Sequence, residues 1–233
     1  MDVMPMSGGG MMSMAWMPLC GQSGMAAAAS FLGMWITMMA AMMLPSLVPA
    51  LWRYRRAVGG AAEPSSSLLT VLVACGYFLV WTLLGAAVYP LGVAVVAAAT
   101  RWPALAGAAP LAIGPVVLIA GAAQLTGWKA RHLAFCRGSL CEESSGRDHG
   151  VRTPALVSLR HGLRLGLHCS QACAALTAVL LVTGMMDLPL MAAVTGAITL
   201  ERLLPAGDRV ARWVGGCAIG AGAFLTLRAI ALG

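Results

Sequence analysis

The sequence predicts an all-α fold: a polytopic membrane helix bundle of about six transmembrane helices, with the N- and C-termini both outside. Three observations carry this. Of 233 residues, 60% are hydrophobic and 10% charged. Soluble domains carry roughly a quarter charged residues, so this chain has too little polar surface to coat a water-soluble globule. The mean hydropathy of +0.84 is concentrated in runs near the ~20 residues that a spanning helix needs. The arginines and lysines gather between alternate runs, as cytoplasmic loops require.

The first run extends from about Met25 to Trp52 and stops at "RYRR". The second, Leu68 to Val95, follows a "PSSS" turn, and the third runs from Leu105 to Leu125. A polar segment, 127–160, holds most of the charges. The fourth run is Leu163 to Gly184. The fifth, Leu188 to Leu204, is short and contains Glu201, and the sixth is Trp213 to Leu232. A short run can still span by local thinning of the bilayer or by packing. No strand alternation or internal repeat stands out.

With the N-terminus outside, one cytoplasmic loop holds Arg53, Arg55 and Arg56. A second holds Lys129, Arg131, Arg137, Arg147 and Arg152, continuing into Arg160 and Arg164, and a third Arg202, Arg209 and Arg212. Only Arg101 and Arg228 remain outside. Omitting the fifth run would export the "ERLLPAGDRVAR" cluster, so the charges favour keeping it. The chain then divides into an external Met-rich tail, residues 1–24, and a six-helix transmembrane domain, residues 25–233, with a cytoplasmic basic loop at 127–160. The expected location is the inner (plasma) membrane, with multiple passes. No cleavable signal peptide is visible, because no basic residue precedes the first apolar run. The net charge of +7 is not a nucleic-acid footprint, since the basic residues sit between apolar runs. The expected partners are membrane lipid and a membrane or periplasmic protein.

The 16 methionines point to chemistry. The tail includes Met11, Met12, Met14 and Met17, and so short a Gly- and Ser-containing segment cannot bury a core of its own. Thioethers are soft ligands that favour Cu(I), so an external Met-rich tail suits copper capture. The bland alternative is a disordered tail with incidental methionines. In the first run, at roughly 100° per residue, Phe31, Met34, Trp35, Met38, Met39, Met42 and Met43 share one arc. Pro45 follows and removes a backbone donor. A thioether face beside a kink suits the passage of a soft cation. Methionine also fills irregular gaps between helices, and that alternative stays open.

Seven cysteines, an odd number spread over loops and spans, make a poor disulfide framework. In "RHGLRLGLHCSQAC", Gly162, Gly166, Cys169 and Cys173 fall on one side at i, i+4, i+7 and i+11. Small residues at this spacing let helices approach closely, and two thiolates at i, i+4 could hold a soft metal. The expected neighbour is the Met38/Met42 face of the first run, because the two clusters lie at similar depth. His168 is a candidate ligand, although it points roughly 100° away from Cys169. In the basic loop, His132 and Cys136 stand at i, i+4, with no known zinc spacing. An acidic residue in an apolar span usually faces a partner or a wet cavity, which makes Glu201 a candidate; Arg202 beside it is expected to snorkel to the interface. Asp187 is placed outside with Met185 and Met186.

Together these segments resemble an uncharacterised bacterial family of predicted metal-binding integral membrane proteins. The resemblance rests on "SFLGMWITMMAAMMLPSLVP", with its unusual Met-Met-x-x-Met-Met-Leu-Pro motif, and on "AAQLTGWKARHLAFCR", "GLRLGLHCSQAC", "GMMDLPLM" and "ERL". It implies an all-helical membrane protein and a bound metal, with no established activity. The family pattern carries a tighter cysteine cluster than Cys169 and Cys173, where Ser170, Gln171 and Ala172 fill the interval here. It also has a cysteine where His132 stands and a proline where Gly127 stands.

The expected function is therefore a soft-metal, copper-binding integral membrane protein for metal capture, transfer or delivery to a partner. The alternative is a non-catalytic membrane subunit or assembly factor, with Met and Cys as packing residues. A membrane redox enzyme lacks support, since no C-x-x-C motif or paired haem-ligand histidines occur. No hydrolase motif, P-loop or aspartyl-phosphate motif argues for an enzyme or an ATP-driven pump.

Overall fold

The computed structural model describes residues 4–5, 11–12, 23–58, 64–138, 154–184 and 187–232. Helices account for nearly all of it: α1 (Gly24–Val58), α2 (Pro64–Arg101), α3 (Pro103–Gln124), α4 (Gly127–Gly138), α5 (Pro154–Thr183), α6 (Leu188–Leu203) and α7 (Gly207–Leu232). A two-residue antiparallel ladder, β1 (Met4–Pro5) with β2 (Met11–Met12), pairs Met4 with Met12.

Four helices, α1, α2, α5 and α7, are long and apolar enough to cross a membrane. The count becomes five if α3 and α4, bent by 64° at their junction, form one broken span. The segment expected as a basic loop thus carries α4 and the first turns of α5. Leu133 and Phe135 interleave with charged residues on α4, giving it an apolar side that packs on α5. At 16 residues, α6 is roughly 24 Å long at 1.5 Å per residue.

The arrangement places α5 at the centre, touching α2, α3, α4 and α6, while α1 packs on α2 and α6. Glycine sets the closest approaches. A Cβ on Gly162 would lie 2.1 Å from the Val73 carbonyl oxygen, and one on Gly166 would lie 3.0 Å from that of Tyr77. The Gly162/Gly166 ridge therefore meets α2 rather than the expected α1. The smooth side of α5 fits backbone to backbone, and the bulky face of α1 cannot offer that. Gly162→Ala should cost at least about 1–3 kcal/mol, the usual range for overpacking. A fall in melting temperature in detergent checks this; an unchanged melting temperature would show that the α2–α5 contact is looser than described.

The opposite side of the bundle uses the same device. α3 and α7 approach closely, and a Cβ on Gly222 would lie 2.6 Å from the Leu118 nitrogen. Gly184, at φ 123°, ends α5 in the left-handed region that glycine tolerates. Asp187 then accepts a hydrogen bond from the Leu190 N–H at 3.0 Å as the N-cap of α6. Its position is accounted for by helix capping.

α1 stays helical through Pro45 and Pro49. The Ser46 hydroxyl donates to the Met43 carbonyl at 3.0 Å. The arc read from the sequence is the buried one: Phe31, Trp35, Met38, Met39, Met42 and Met43 all lie in the core. Trp35 sits against Gly85 of α2 and donates its indole N–H to the Trp81 carbonyl at 2.9 Å.

Candidate metal centre

Cys169 and Cys173 are buried on the side of α5 that faces the interior, at 0% and 2% exposure. They share one hydrophobic cluster with Met38, Met39, Met42, Met43, Cys136 and Tyr77. The Cys169 sulfur lies 4.0 Å from the Met43 thioether and 2.8 Å from the Tyr77 hydroxyl. The thioether face of α1 and the thiols of α5 thus meet at one level through their side chains, although α1 packs mainly on α2 and α6. Four helices contribute: α1 with Met43, α2 with Tyr77, α5 with the cysteines, and α6.

The α6 contribution is Arg202, which the sequence suggested would snorkel outward. It points inward instead. Its Nη2 donates to Cys169 Sγ at 2.7 Å and to Cys173 Sγ at 3.5 Å, and its Nη1 donates to Ser46 Oγ at 3.4 Å. The reason is the short helix. Arg202 lies one position past the buried Glu201, and the two charges cannot face the same neighbour. Each finds a partner of its own across the bundle, because an unpaired charge in a dry interior is costly.

Glu201 pairs with Lys129 of α4 at 2.7 Å, with both side chains 3% exposed. Gln124 completes the group. Its amide donates to Glu201 at 3.4 Å, and its carbonyl oxygen accepts from Lys129. Lys129 is the residue that sequence reasoning missed, since it stands in the segment read as a loop.

His168 is not brought to the sulfurs. Its Nδ1 lies 2.8 Å from the Nδ1 of His132, and the Phe135 ring packs against it, tilted by 31°, with ring centroids 3.7 Å apart. Cys136 is buried in the same cluster as the paired thiols. It also lines, with Ser46, Arg53, Tyr77 and Arg202, a cavity of about 10 Å³. That is close to the roughly 10–15 Å³ needed for one water. Met11 and Met12 lie on the short ladder. Met14, Met17, Met185 and Met186 lie outside the described residues.

Among the described residues, no group of three or more His, Cys, Asp or Glu converges as a metal site. A centre at Cys169 and Cys173 would therefore be completed by sulfur from methionine. Two thiols and a thioether are soft donors suited to Cu(I), whereas hard cations want oxygen. Burial away from water fits an ion held without its hydration shell.

Fold and site together define the class: a helical protein with, among the described residues, four to five helices apolar enough to cross a membrane, built around a buried thiol–thioether core. The family follows from comparison. The sequence model of the family described as "PpoB2: Copper chaperone" matches residues 32–225, and the chain belongs to that family. Its function is therefore copper-related. No curated protein and no solved structure matches the chain.

Proposed function

We propose that this chain is an integral membrane copper chaperone that holds Cu(I) in its sulfur centre and delivers it to a partner metalloprotein. The observation that carries the reading is the convergence of Cys169, Cys173 and Met43 in one buried cluster, with Arg202 and Tyr77 as hydrogen-bonding partners. Cu(I) binds between the two thiolates, with the Met43 thioether within reach as a third ligand. Tyr77 and Arg202 hydrogen-bond to the sulfurs from outside the ligand set, as partners that orient ligands do. The neighbouring thioethers of Met38, Met39 and Met42 give the ion a soft path along α1. The methionines of the tail, Met11, Met12, Met14 and Met17, capture it first.

Six spans with both termini outside suit this role. α3 bent into α4 and the short α6 then complete the crossing, with α6 aided by local bilayer thinning. Outer faces carrying exposed Leu68, Leu79, Leu83, Phe224 and Leu227 support contact with lipid. Reporter fusions check the topology. The loop 139–153 should report inside and residue 11 outside; the same side for both would contradict it.

Purified protein tests the function by Cu(I) titration against a competing chelator. Saturable binding is the expected result. Its absence would favour the subunit reading, in which the sulfurs only pack helices. Met43→Leu separates packing from ligation. A volume-conserving swap should cost less than about 1.5 kcal/mol in stability, yet Cu(I) affinity should fall several-fold. Unchanged affinity would remove Met43 from the site.

A further inference from the structure

The proposed centre contains a fixed positive charge, and that charge has a consequence for metal choice. Arg202 donates to both thiol sulfurs and to Ser46. Among the described residues no carboxylate pairs with it: the adjacent Glu201 is held by Lys129 on the α4 side. Guanidinium remains protonated in proteins, so the two thiols always face the Arg202 cation. With Cys169 and Cys173 at 0% and 2% exposure, water screens an imbalance of charge at the sulfurs far less than it would at the surface.

We infer that Arg202 selects the charge of the bound metal, admitting a monovalent soft ion and rejecting a divalent one. This rests on the copper-binding reading above. Binding converts two thiols and one Cu(I) into a bis-thiolate complex of charge −1 and releases two protons to water. Arg202 brings the total to zero. Zn(II) or Cd(II) at the same two thiolates forms a neutral complex and leaves the partly buried Arg202 without a countercharge at the sulfurs. Without Arg202 the order reverses, since the divalent complex is then the neutral one. A thiolate sulfur keeps lone pairs beyond its metal bond, so Arg202 can go on donating to the loaded centre. The Lys129–Glu201 pair is neutral as a unit and leaves this balance unchanged.

The test uses the full chain in detergent and measures Cu(I), Ag(I), Zn(II) and Cd(II) binding by chelator competition. Arg202→Gln should lower Cu(I) and Ag(I) affinity by about 10- to 100-fold, the usual effect of losing an outer hydrogen-bonding partner. Zn(II) affinity should hold or rise, so the Cu(I)/Zn(II) ratio falls at least tenfold. Arg202→Lys keeps the charge and should keep most of the ratio. An unchanged ratio in Arg202→Gln overturns the inference. So does an equal loss for all four metals, which would mark Arg202 as structural. If Arg202→Gln does not fold, the unmodified protein decides: Ag(I) should be held against excess Cd(II), and displacement by Cd(II) overturns the inference. If the unmodified protein binds neither Cu(I) nor Ag(I), the copper-binding reading fails and takes this inference with it. Binding with no change of ratio removes only the role of Arg202.

Discussion

The Cys169→Ser, Cys173→Ser double variant is expected to fold and to lose the Cu(I) centre. Serine nearly preserves shape, and its hydroxyls can accept from Arg202 and hydrogen-bond with Tyr77, which now lie 2.7 and 2.8 Å from the Cys169 sulfur. The bundle therefore keeps its packing and polar partners. The metal loses both thiolates, and a hydroxyl is a hard donor that Cu(I) disfavours. Loss of mere outer-shell partners costs about 10–100-fold in metal affinity, so loss of both principal ligands should exceed about 100-fold. Cys217, exposed on α7, provides the control, and Cys217→Ser should bind as the parent does. Chelator competition with matched melting curves reads the result. Retained affinity in the double variant would move copper away from α5 altogether.

The second large effect concerns stability. Glu201→Leu leaves Lys129 buried at 3% exposure with its carboxylate gone. Breaking a buried ion pair by removing one partner costs about 3–5 kcal/mol, so the variant should unfold at a much lower temperature or fail to accumulate. Lys129→Met should do similar harm by removing the charge that neutralises Glu201. Combining the two should recover most of the loss, because replacing both charges by apolar groups is often neutral or stabilising. The thermal stability of the four proteins forms a double-mutant cycle. Additive losses would show that the pair is not coupled. Copper affinity in the double variant should stay near that of the parent, since the Lys129–Glu201 pair carries no net charge.

Residues whose partners lie on their own helix, or whose face is simply the bulky one, were legible in the sequence. The thioether arc of α1 is one case: a single helix's periodicity places Trp35, Met39 and Met43 inward. The side of α5 bearing Gly162, Gly166, Cys169 and Cys173 is another. What stayed hidden depends on pairing between helices. The glycine ridge could have met any smooth backbone, and it met α2. His168 found His132 rather than the thiols because α4 is a helix that lays its aromatic side on α5. Arg202 carried a signal that was there to read. Two adjacent charges at the end of a 16-residue apolar helix point in directions roughly 100° apart, so each meets a different partner. Lys129 and the Cys169/Cys173 pair were the partners available.

X-ray absorption at the copper edge, on the full chain loaded with one equivalent of Cu(I), tests the central claim most directly. A centre built from Cys169, Cys173 and Met43 predicts a first shell of sulfur alone. That shell should persist when Met11, Met12, Met14 and Met17 are all replaced by leucine, because the tail captures the ion and α5 holds it. A first shell of nitrogen or oxygen, or a sulfur shell that vanishes with the tail methionines while Cys169 and Cys173 are intact, would contradict the account.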